Sequence, residues 1–480
     1  MYRKIKKFFW RMSVVLVVGV LCFNLEKIIP ASSHDQQFTL PLPPHAASTT
    51  VKDNAFVTHS GSTLRLAGKP FRFSGANIYW LGLQETTQGS VIYPTHFRID
   101  DALATAAFMG ATVVRSHTLG GSVGCKLCLE PERGVFQQQA WESIDYAIQS
   151  AHKHHIKLII PLIDNWHYYH GGKHTFTDWR GLSNENDFYT NTQVIGDFED
   201  YIRTFLNHVN QYTGLAYKDD PTILAWETGN ELSAPANWVG QISTFIKKND
   251  PCHLVMDGNY EQANEVTNFA SDLSLPAVDI YTGHYYPPSY STMTEALGQA
   301  EQAHKVFIVG EYDWEAQTGE PLASFLSTIE RSQIAGDMYW SLFSHDDHHG
   351  FVAQNEYFTL HYPGYTTDVR VRIRLLRLHA YRMQGSLPPA ALAPGVPLIT
   401  TRTGHDLIWR GAYGADTYTI ERSAQGEKGP WQVVCNRCVT DFTFFWRDPA
   451  QLTGRVAYRM RAFSDAGIPG PYSQLVWIMY

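Results

Sequence analysis

Between residues 71 and 383, short apolar segments alternate with longer segments of helical periodicity. The segments that we interpret as strands are 71–79, 111–117, 156–163, 223–226, 253–257, 278–284, 306–311 and 336–341. Helical patterns occupy residues 97–109, 141–154, 192–212, 238–248 and 369–383. This alternation predicts parallel strands covered by helices, an α/β fold. We expect a (β/α)8 TIM barrel, in which functional groups lie at the carboxyl ends of the strands.

Two of the predicted strands end in a glutamate. Residues 217–232 read YKDDPTILAWETGNEL, and residues 305–314 read KVFIVGEYDW, so that Glu231 and Glu311 each follow an apolar run. The 80 positions that separate them leave room for about three βα units, which places the pair across the barrel mouth on strands four and seven. A single strand-end glutamate is more often structural. Two of them are what glycoside hydrolysis requires, one as acid/base and one as nucleophile or base.

Composition and the C-terminal region define the domain organisation. The 480 residues, 44% hydrophobic and 18% charged, suit a globular chain with one large and one small domain. A proline-rich linker, residues 385–397, separates a barrel domain at 54–384 from short alternating strands within 398–480. These strands predict a small C-terminal β-sandwich. The net charge of −8 gives no electrostatic reason to expect a nucleic-acid partner.

The N-terminal residues resemble a targeting segment. Basic residues from position 3 to 11 precede the apolar stretch 12–23, which is shorter than the roughly 20 residues of a transmembrane helix. We interpret residues 1–30 as a signal peptide or a retained signal anchor and residues 31–53 as a linker. The sequence thus predicts an extracellular or cell-surface protein, secreted or attached to the membrane by its N-terminal segment, and we expect a monomer.

Cysteines and histidines raise the question of metal binding. The six cysteines include two C-x-x-C pairs, at 125 and 128 and at 435 and 438, for which local disulfides are favoured over reduced thiols or a shared zinc. Histidines cluster at residues 167–174 and 344–349. They follow predicted strands three and eight, where loops that contact a sugar are expected. Because hydrolysis by two glutamates needs no metal, we predict no cofactor.

Four motifs in their order along the chain resemble glycoside hydrolase family 5, a family of retaining enzymes in clan A. They are WETGNEL at 226–232, HYY at 284–286, VGEYDW at 309–314 and MYWSLF at 338–343. The segments around WETGNEL and IDNWHYYHGGKH are similar to the endo-β-1,4-mannanase branch. This resemblance covers residues 54–384. Trp409, TYTIERS and YRMRAFSDAG in the C-terminal region resemble a fibronectin type III domain.

The family resemblance implies a role for individual residues. Glu231 corresponds to the acid/base and Glu311 to the nucleophile. The residues expected to contact the substrate or to support those contacts are Arg115, Asn230, His284, Tyr286 and Trp340. Asn230 is expected to bind the sugar 2-hydroxyl, Arg115 to keep Glu311 ionised, Tyr286 to orient Glu311, and Trp340 to form the floor of the sugar subsite.

Three further interpretations come from position in the chain alone. Trp80 and Trp166 directly follow strands one and three and are predicted to stack on sugars. Glu227 lies four residues before Glu231, on the same side of the strand by period-two alternation, and we interpret it as a buried structural carboxylate.

The expected function is that of an exported retaining β-glycoside hydrolase, most similar to mannan endo-1,4-β-mannosidase, acting on a β-linked polysaccharide or oligosaccharide. Leu232 stands where the common mannanase motif has proline, so another β-glycanase or an exo-β-glycosidase of the same family stays open. The alternative from a different class is a non-catalytic glycan-binding protein, which the presence of both glutamates disfavours.

Overall fold

A computed structural model of the protein describes residues 55–262, 269–354 and 357–480. The predicted leader at 1–30 and the linker at 31–53 lie outside the described residues. Within these described ranges, no helix is both long enough and apolar enough to cross a lipid bilayer.

The described part of the barrel region contains fourteen strands. They are β1 Val57–Ser60, β2 Thr63–Leu66, β3 Lys69–Pro70, β4 Phe73–Asn77, β5 Gln84–Glu85, β6 Val91–Ile92, β7 Val113–Arg115, β8 Lys157–Pro161, β9 Ile223–Glu227, β10 Leu254–Met256, β11 Glu261–Gln262, β12 Ile280–Tyr285, β13 Val306–Asp313 and β14 Gly336–Trp340. The helices between and after them are α1 His96–Phe108, α2 His117–Gly120, α3 Gln138–Lys153, α4 Lys173–Asp178, α5 Asp187–Thr190, α6 Thr192–Asn207, α7 Ala236–Asn249, α8 Phe269–Asp272, α9 Tyr290–Gln302, α10 Leu322–Arg331 and α11 Thr367–Met383.

Eight of these strands form a closed parallel barrel in the order β4, β7, β8, β9, β10, β12, β13 and β14. The ring closes because β14 pairs with β4 and β10 pairs with β12, where Met256 lies opposite Ile280. The predicted (β/α)8 barrel is confirmed. All eight strands run in the same direction, so their carboxyl ends share one rim, as the site requires.

The alternation of apolar side chains explains why these segments form strands buried on both faces. In β8, Ile159 belongs to the cluster that fills the barrel, together with residues such as Phe73 and Leu224. Its neighbours Leu158 and Ile160 belong to the layer between strands and helices. Successive residues of a strand point to opposite faces, so a continuous apolar run is what a doubly covered strand needs.

The helices cover the barrel with one apolar face each. In α6 the buried side chains Val194, Phe198, Tyr201 and Phe205 recur at intervals of three or four residues, the spacing of an amphipathic helix. The helix ends at Asn207, five residues before the end predicted from sequence. Asn210 is the reason, because its side chain accepts hydrogen bonds from the amides of Tyr212 and Thr213 and turns the chain.

The C-terminal region contains two antiparallel sheets. The strands are β15 Leu398–Thr403, β16 Asp406–Arg410, β17 Thr417–Ser423, β18 Gln432–Val439, β19 Trp446–Arg447, β20 Arg455–Phe463, β21 Pro469–Tyr472 and β22 Val476–Met479. One sheet has the order β15, β16, β19, and the other has the order β18, β17, β20, β21 with β22 also on β20. Trp409 from the first sheet and Ile420 and Tyr458 from the second share one apolar core, which is compatible with a sandwich.

A buried charged cluster, which we name the domain-contact cluster, joins the barrel to the C-terminal region. It consists of Asp101 of α1, His345 from the segment after β14, and Asp441. The His345 ring nitrogens lie 2.9 Å from Asp101 Oδ2 and 3.2 Å from Asp441 Oδ2. Burial lowers the pKa of His345, but the two carboxylates outweigh burial and raise it to about 10. Gly411 packs against this ring, and a Cβ there would lie 2.2 Å from it.

Candidate active site

The two glutamates lie at the carboxyl rim of the barrel, on β13 and just beyond β9. Glu311 is part of β13, whereas Glu231 follows the end of β9 by four residues. A backbone bridge between Asp164 and Asn230 extends the β8–β9 pairing past the strands, and it holds the segment that carries Glu231. Glu231 has a φ of 51°, a left-handed conformation that non-glycine residues adopt at a cost.

The carboxyl groups of Glu231 and Glu311 face each other. One oxygen of each, with a ring nitrogen of His284, lies within 4.8 Å of the others. Retaining glycosidases hold their two carboxyl groups about 5 to 5.5 Å apart, and inverting enzymes hold them farther apart to admit a water. The separation observed here therefore fits attack by one carboxylate on the sugar.

Glu311 is surrounded by groups that stabilise its negative charge. Arg115 Nη1 donates to Oε1 at 2.7 Å, and the Tyr286 hydroxyl donates to Oε2 at 3.0 Å. Burial raises the pKa of Glu311, but the charges of His284 and Arg115 outweigh burial and hold it well below its usual range. Glu311 is thus an ionised, oriented carboxylate, as a nucleophile must be.

Arg115 lies at the centre of a second buried cluster, the rim cluster, which contains Arg115, Glu227 and Glu311. The Arg115 Nε and Nη2 atoms donate to the two oxygens of Glu227 at 2.7 and 2.9 Å. Nη2 also donates to Asn230 Oδ1 at 2.7 Å. Glu227 is fully buried, in agreement with its predicted structural role. Arg115 is itself 0% exposed, and its contact with Glu311 agrees with the expected role of keeping that carboxylate ionised. It acts through Glu311 and Asn230.

Glu231 receives two hydrogen-bond partners from the rim. Trp166 Nε1 donates to Oε2 at 2.5 Å, and His284 Nδ1 lies 2.9 Å from Oε1. Trp166 is 39% exposed, so its ring remains open to a sugar while its N–H positions the glutamate. The structure therefore brings the predicted residues Trp166 and His284 together with Glu231.

Trp340 ends β14 and forms an aromatic wall of the site. Its ring stacks on Tyr79 at 5.0 Å with an interplanar angle of 7°, and it lies 5.1 Å from the ring of His117. Tyr79 was not among the predicted site residues. Only its position after the first strand, next to Trp80, could have indicated it.

Trp80 does not reach the site. It is fully buried, its Nε1 donates to the carbonyl of Leu342 at 3.1 Å, and its ring stacks on Phe343 at 5.8 Å. The predicted sugar contact of Trp80 is therefore corrected. The strand ends at Asn77, two residues before the predicted end, and in the turn that follows, Tyr79 packs on Trp340 while Trp80 packs on Phe343.

A chain of buried polar groups, His117, Asp164 and His170, extends from Glu311 into the barrel wall. His117 Nε2 lies 3.6 Å from Glu311 Oε1, and its Nδ1 lies 3.5 Å from Asp164 Oδ2. His170 Nε2 lies 3.8 Å from the same oxygen. His170 belongs to the histidine cluster at 167–174, but no sequence pattern connects it with Asp164 or His117.

Two groups of side chains among the described residues have the spacing of a metal site, namely His117, Asp164 and His170, and Glu231, His284 and Glu311. The first group lies beside the guanidinium of Arg115, whose Nη1 is 2.8 Å from His117 Nε2. A second cation there would be repelled. The second group is the glutamate pair itself, already bonded to Trp166, Tyr286 and Arg115. In both groups, several of the possible ligand atoms already accept hydrogen bonds from protein donors.

The cysteine pairs form local disulfides, as expected. Cys125 bonds to Cys128, and Cys435 bonds to Cys438. Cys252 is a free, exposed thiol. The first disulfide lies in the loop that precedes Glu130, and the second lies in β18 of the C-terminal region.

Comparison with known proteins agrees with this geometry. A family model described as GH family 5 beta-mannosidase-like matches residues 54–323, more than half of the chain. The chain therefore belongs to glycoside hydrolase family 5, within its β-mannosidase-like group.

Several relatives carry mannanase names. Mannan endo-1,4-β-mannosidase 3 of Arabidopsis thaliana is 30% identical over 268 residues, which are 50% of this chain and 63% of that protein. The probable mannan endo-1,4-β-mannosidase A of Aspergillus flavus is 28% identical over 358 residues, 68% of this chain and 88% of that protein. The chain spans about half to two thirds of the length of the Arabidopsis relatives, between 52% and 63%.

The solved structure of an endo-1,4-β-mannanase from Rhizomucor miehei is similar to the barrel. Its sequence is 27% identical, and the match covers 69% of this chain and 100% of the other at a TM-score of 0.57.

Proposed function

We propose that this protein is a retaining β-glycoside hydrolase that cleaves β-1,4-mannan, with mannan endo-1,4-β-mannosidase as its foremost activity. The observation that carries the proposal is the pair Glu231 and Glu311, whose oxygens lie within 4.8 Å of each other. The names of the plant and fungal relatives support mannan as the substrate class.

The geometry assigns a step to each carboxyl group. Glu311 attacks the anomeric carbon while Glu231 protonates the departing glycosidic oxygen, giving a covalent glycosyl-enzyme. Glu231 then removes a proton from water, and the hydroxide releases the sugar from Glu311 with net retention. Tyr286 and Arg115 fix the two oxygens of Glu311, so the nucleophile is oriented before the substrate arrives.

The polar contacts of the site suit this reaction further. Asn230 is held by Arg115 and by Asp164 at 3.3 Å, next to the acid/base, where it can meet the sugar 2-hydroxyl. Trp166, which bonds to Glu231, and Trp340, which ends β14, supply two aromatic surfaces. Such surfaces stack on the apolar faces of pyranose rings.

The test is incubation of the full chain with galactomannan, linear β-1,4-mannan, cellulose, xylan and reduced manno-oligosaccharides, followed by product analysis. An endo-mannanase releases a ladder of manno-oligosaccharides with the β-anomer formed first, as seen by proton NMR of the fresh products. Release of mannose alone from chain ends would identify an exo-acting β-mannosidase instead. Cleavage of cellulose or xylan in preference to mannan would overturn the proposed substrate.

Absence of cleavage for every glycan, with binding retained, would favour the glycan-binding alternative. A Glu311→Gln variant serves as the control for contaminating activity, because the loss of the nucleophile must abolish the products.

We further propose that the protein is exported and acts as a monomer outside the cell or at its surface. The basic and apolar pattern of residues 1–30 supports export. Fractionation of the full chain, with mass spectrometry of its N-terminus, tests this, because a cleaved leader and a membrane-retained anchor give different termini. Recovery of intact protein from the cytoplasm alone would contradict export.

The C-terminal region is proposed to be a fibronectin type III-like domain. Its arrangement of three strands in one sheet and five in the other supports this assignment. The contacts of His345 with Asp101 and Asp441 favour a role in supporting the barrel over an independent binding role. Glycan affinity electrophoresis with an inactive Glu311→Gln chain, with and without substitution of the exposed Phe444, tests for a binding contribution.

A further inference from the structure

His117 is buried beside the nucleophile, and the reaction described above does not use it. It is 2% exposed and lies two residues after Arg115, at the point where β7 passes into α2. The titratable or charged groups that face it are Arg115 from β7, Asp164 and His170 from the segment after β8, Glu311 from β13 and Tyr79 after β4.

The hydrogen bonds of Arg115 determine how His117 is used. The guanidinium has five N–H groups, and six acceptor atoms surround it. They are the two oxygens of Glu227, Asn230 Oδ1, Asn77 Oδ1, His117 Nε2 and Glu311 Oε1. The two hydrogens of Nη1 have three acceptors within reach, Asn77 Oδ1 at 3.2 Å, His117 Nε2 at 2.8 Å and Glu311 Oε1 at 2.7 Å. His117 and Glu311 therefore compete for the same donor.

The proton on His117 decides this competition. Because Arg115 is always a donor, the 2.8 Å contact with Nε2 requires that this nitrogen be unprotonated, with the ring proton on Nδ1 toward Asp164. A second proton on Nε2 would place two donors against each other. Glu311 Oε1, at 3.6 Å, is the nearby acceptor to which this N–H can turn.

We propose that His117 is a proton-operated positioning residue for Glu311. When neutral, it accepts a hydrogen bond from Arg115 and leaves Glu311 to the donors that orient it for attack. When protonated, it releases Arg115 and donates to Glu311 instead, and it adds a positive charge that weakens the carboxylate as a nucleophile. The proposal rests on the proposed glycosidase function, whose nucleophile is Glu311.

The surrounding charges favour His117 as the group that titrates. Burial and Arg115 lower the pKa of His117, but Asp164 and Glu311 outweigh them and raise it above its ordinary value. Burial lowers the pKa of His170 to about 4, so His170 stays neutral and does not neutralise Asp164. Glu311 has a pKa well below its usual range. Its own protonation therefore does not set the acidic limb of the activity, and we assign that limb to His117.

The first test compares pH profiles of kcat/KM for the full chain and for His117→Gln. Glutamine offers an oxygen to Arg115 and an N–H to Asp164 but does not titrate. We expect the acidic limb of the wild-type profile, which falls about tenfold per pH unit below its midpoint, to move to lower pH by at least one unit. The readout is the shape of the profile, which a merely structural role would not change. His117→Asn serves if the glutamine variant does not fold.

The matched control is His379→Gln. His379 is also a buried histidine between two carboxylates, 3.0 Å from Glu330 and 2.8 Å from Asp337, but it lies on α11 away from the glutamate pair. Its substitution should leave the acidic limb in place. An unchanged limb in His117→Gln, or an equal displacement in His379→Gln, would overturn the proposal.

A second measurement does not depend on catalysis. In full-length protein labelled with carbon-13 at histidine Cε1, the NMR signal lost in His117→Gln belongs to His117. We expect it to titrate and its midpoint to fall by about one unit in Glu311→Gln and in Asp164→Asn, because each removes a carboxylate that favours the protonated ring. The proposal would be overturned by a His117 signal that does not titrate between about pH 4 and 9, or by a midpoint that stays the same in both variants. A protein that cleaves no glycan but shows this titration would instead overturn the proposed function alone.

Discussion

The rim cluster and the domain-contact cluster share one plan, a buried cation between two carboxylates, but they use different cations. At the rim, Arg115 lies between Glu227 and Glu311. At the contact with the C-terminal region, His345 lies between Asp101 and Asp441. Arginine keeps its charge at every pH that a protein experiences, whereas histidine does not. The charge of Arg115 in the site is thus independent of pH, whereas the charge of His345 at the contact with the C-terminal region depends on pH.

The geometry of the two cations differs as well. The planar guanidinium of Arg115 donates two hydrogen bonds to Glu227 and also donates to Glu311 and to Asn230. The imidazole of His345 has one nitrogen for each carboxylate. Arg115 can therefore hold Glu227, Glu311 and Asn230 in one site, while His345 can only join two segments. Substitutions in the two clusters test whether the rim cluster governs activity and the domain-contact cluster governs stability.

The largest effect is expected from the nucleophile. Glu311→Gln keeps the shape of the side chain but cannot form the glycosyl-enzyme, so kcat should fall by about 10⁴-fold or more. Asp441→Asn makes the comparable change in the domain-contact cluster and should lower the unfolding midpoint while kcat stays within about twofold. Steady-state kinetics on mannan and urea unfolding of both variants separate the two effects. A large loss of kcat in Asp441→Asn would show that the domain-contact cluster also governs activity.

Arg115→Lys should have the next largest effect. Lysine retains the charge but replaces the fork by a single ammonium, so Glu227, Asn230 and Glu311 lose part of their donors in a buried site. Breaking buried ion pairs costs about 3 to 5 kcal/mol, and we expect kcat/KM to fall by about 10² to 10³-fold. Rates measured from pH 4 to 8 check this. A variant that kept a third of the wild-type rate would show that charge alone is sufficient.

His345→Gln should destabilise the protein in a pH-dependent way without a comparable loss of rate. The pKa of His345 is raised to about 10 in the fold against about 6.5 in the unfolded chain. The stabilisation is therefore fully present below about pH 6.5 and is lost as the pH rises through 10. We expect a difference in the free energy of unfolding on the order of 4 kcal/mol at pH 6 that narrows toward pH 10, measured by urea titration.

His361→Gln is the control for this pH dependence. Burial lowers the pKa of His361 to about 4, so its contribution changes only below about pH 6.5. The stability difference for His361→Gln should be flat from pH 7 to 10. An equally flat difference for His345→Gln would mean that His345 is neutral at the domain contact.

The smallest effect is expected for Trp166→Phe, which keeps an aromatic ring but removes the N–H that donates to Glu231. The loss of one hydrogen bond to a charged or reacting carboxyl group costs about 1.5 to 3 kcal/mol, so kcat/KM should fall by about 10- to 100-fold. Trp80→Phe is the matched control. Because Trp80 is buried and its Nε1 donates to the carbonyl of Leu342 instead of a glutamate, this change should lower stability and leave kcat/KM nearly constant.

Much of the barrel and its glutamate pair could be predicted because they depend on periodicity. A parallel strand buried on both faces has to be apolar throughout, and the residue type that follows it reports directly on the rim. Glu231 and Glu311 were found in this way, and the resemblance to the family supplied Asn230, His284, Tyr286 and Trp340. The structure brings these residues together at one end of the barrel.

The remaining features depend on directions and distances that the sequence does not encode locally. Tyr79 and Trp80 are adjacent aromatics, and only the packing of Phe343 and Trp340 decides which one faces the site. His117 and Asp164 follow the neighbouring strands β7 and β8, and they meet only when these two strands pair. Arg115 was correctly associated with Glu311, but its complete burial depends on Glu227 and Asn230, whose side chains converge on it from β9 and from just beyond that strand.

The segment that follows Trp340 limits how far the chain can be shortened, because it contacts the C-terminal region. Residues 341–352 begin beside the aromatic wall and continue to His345 and Asp346, which are anchored by Asp101 and Arg98 of α1 on one side and, through His345, by Asp441 on the other. Deleting residues 398–480 would expose a charged histidine and the apolar ring of Phe351, which now packs 5.0 Å from Phe442. We expect the shortened protein to aggregate and its aromatic wall at Trp340 to be held less firmly. The two portions are therefore best produced as one polypeptide.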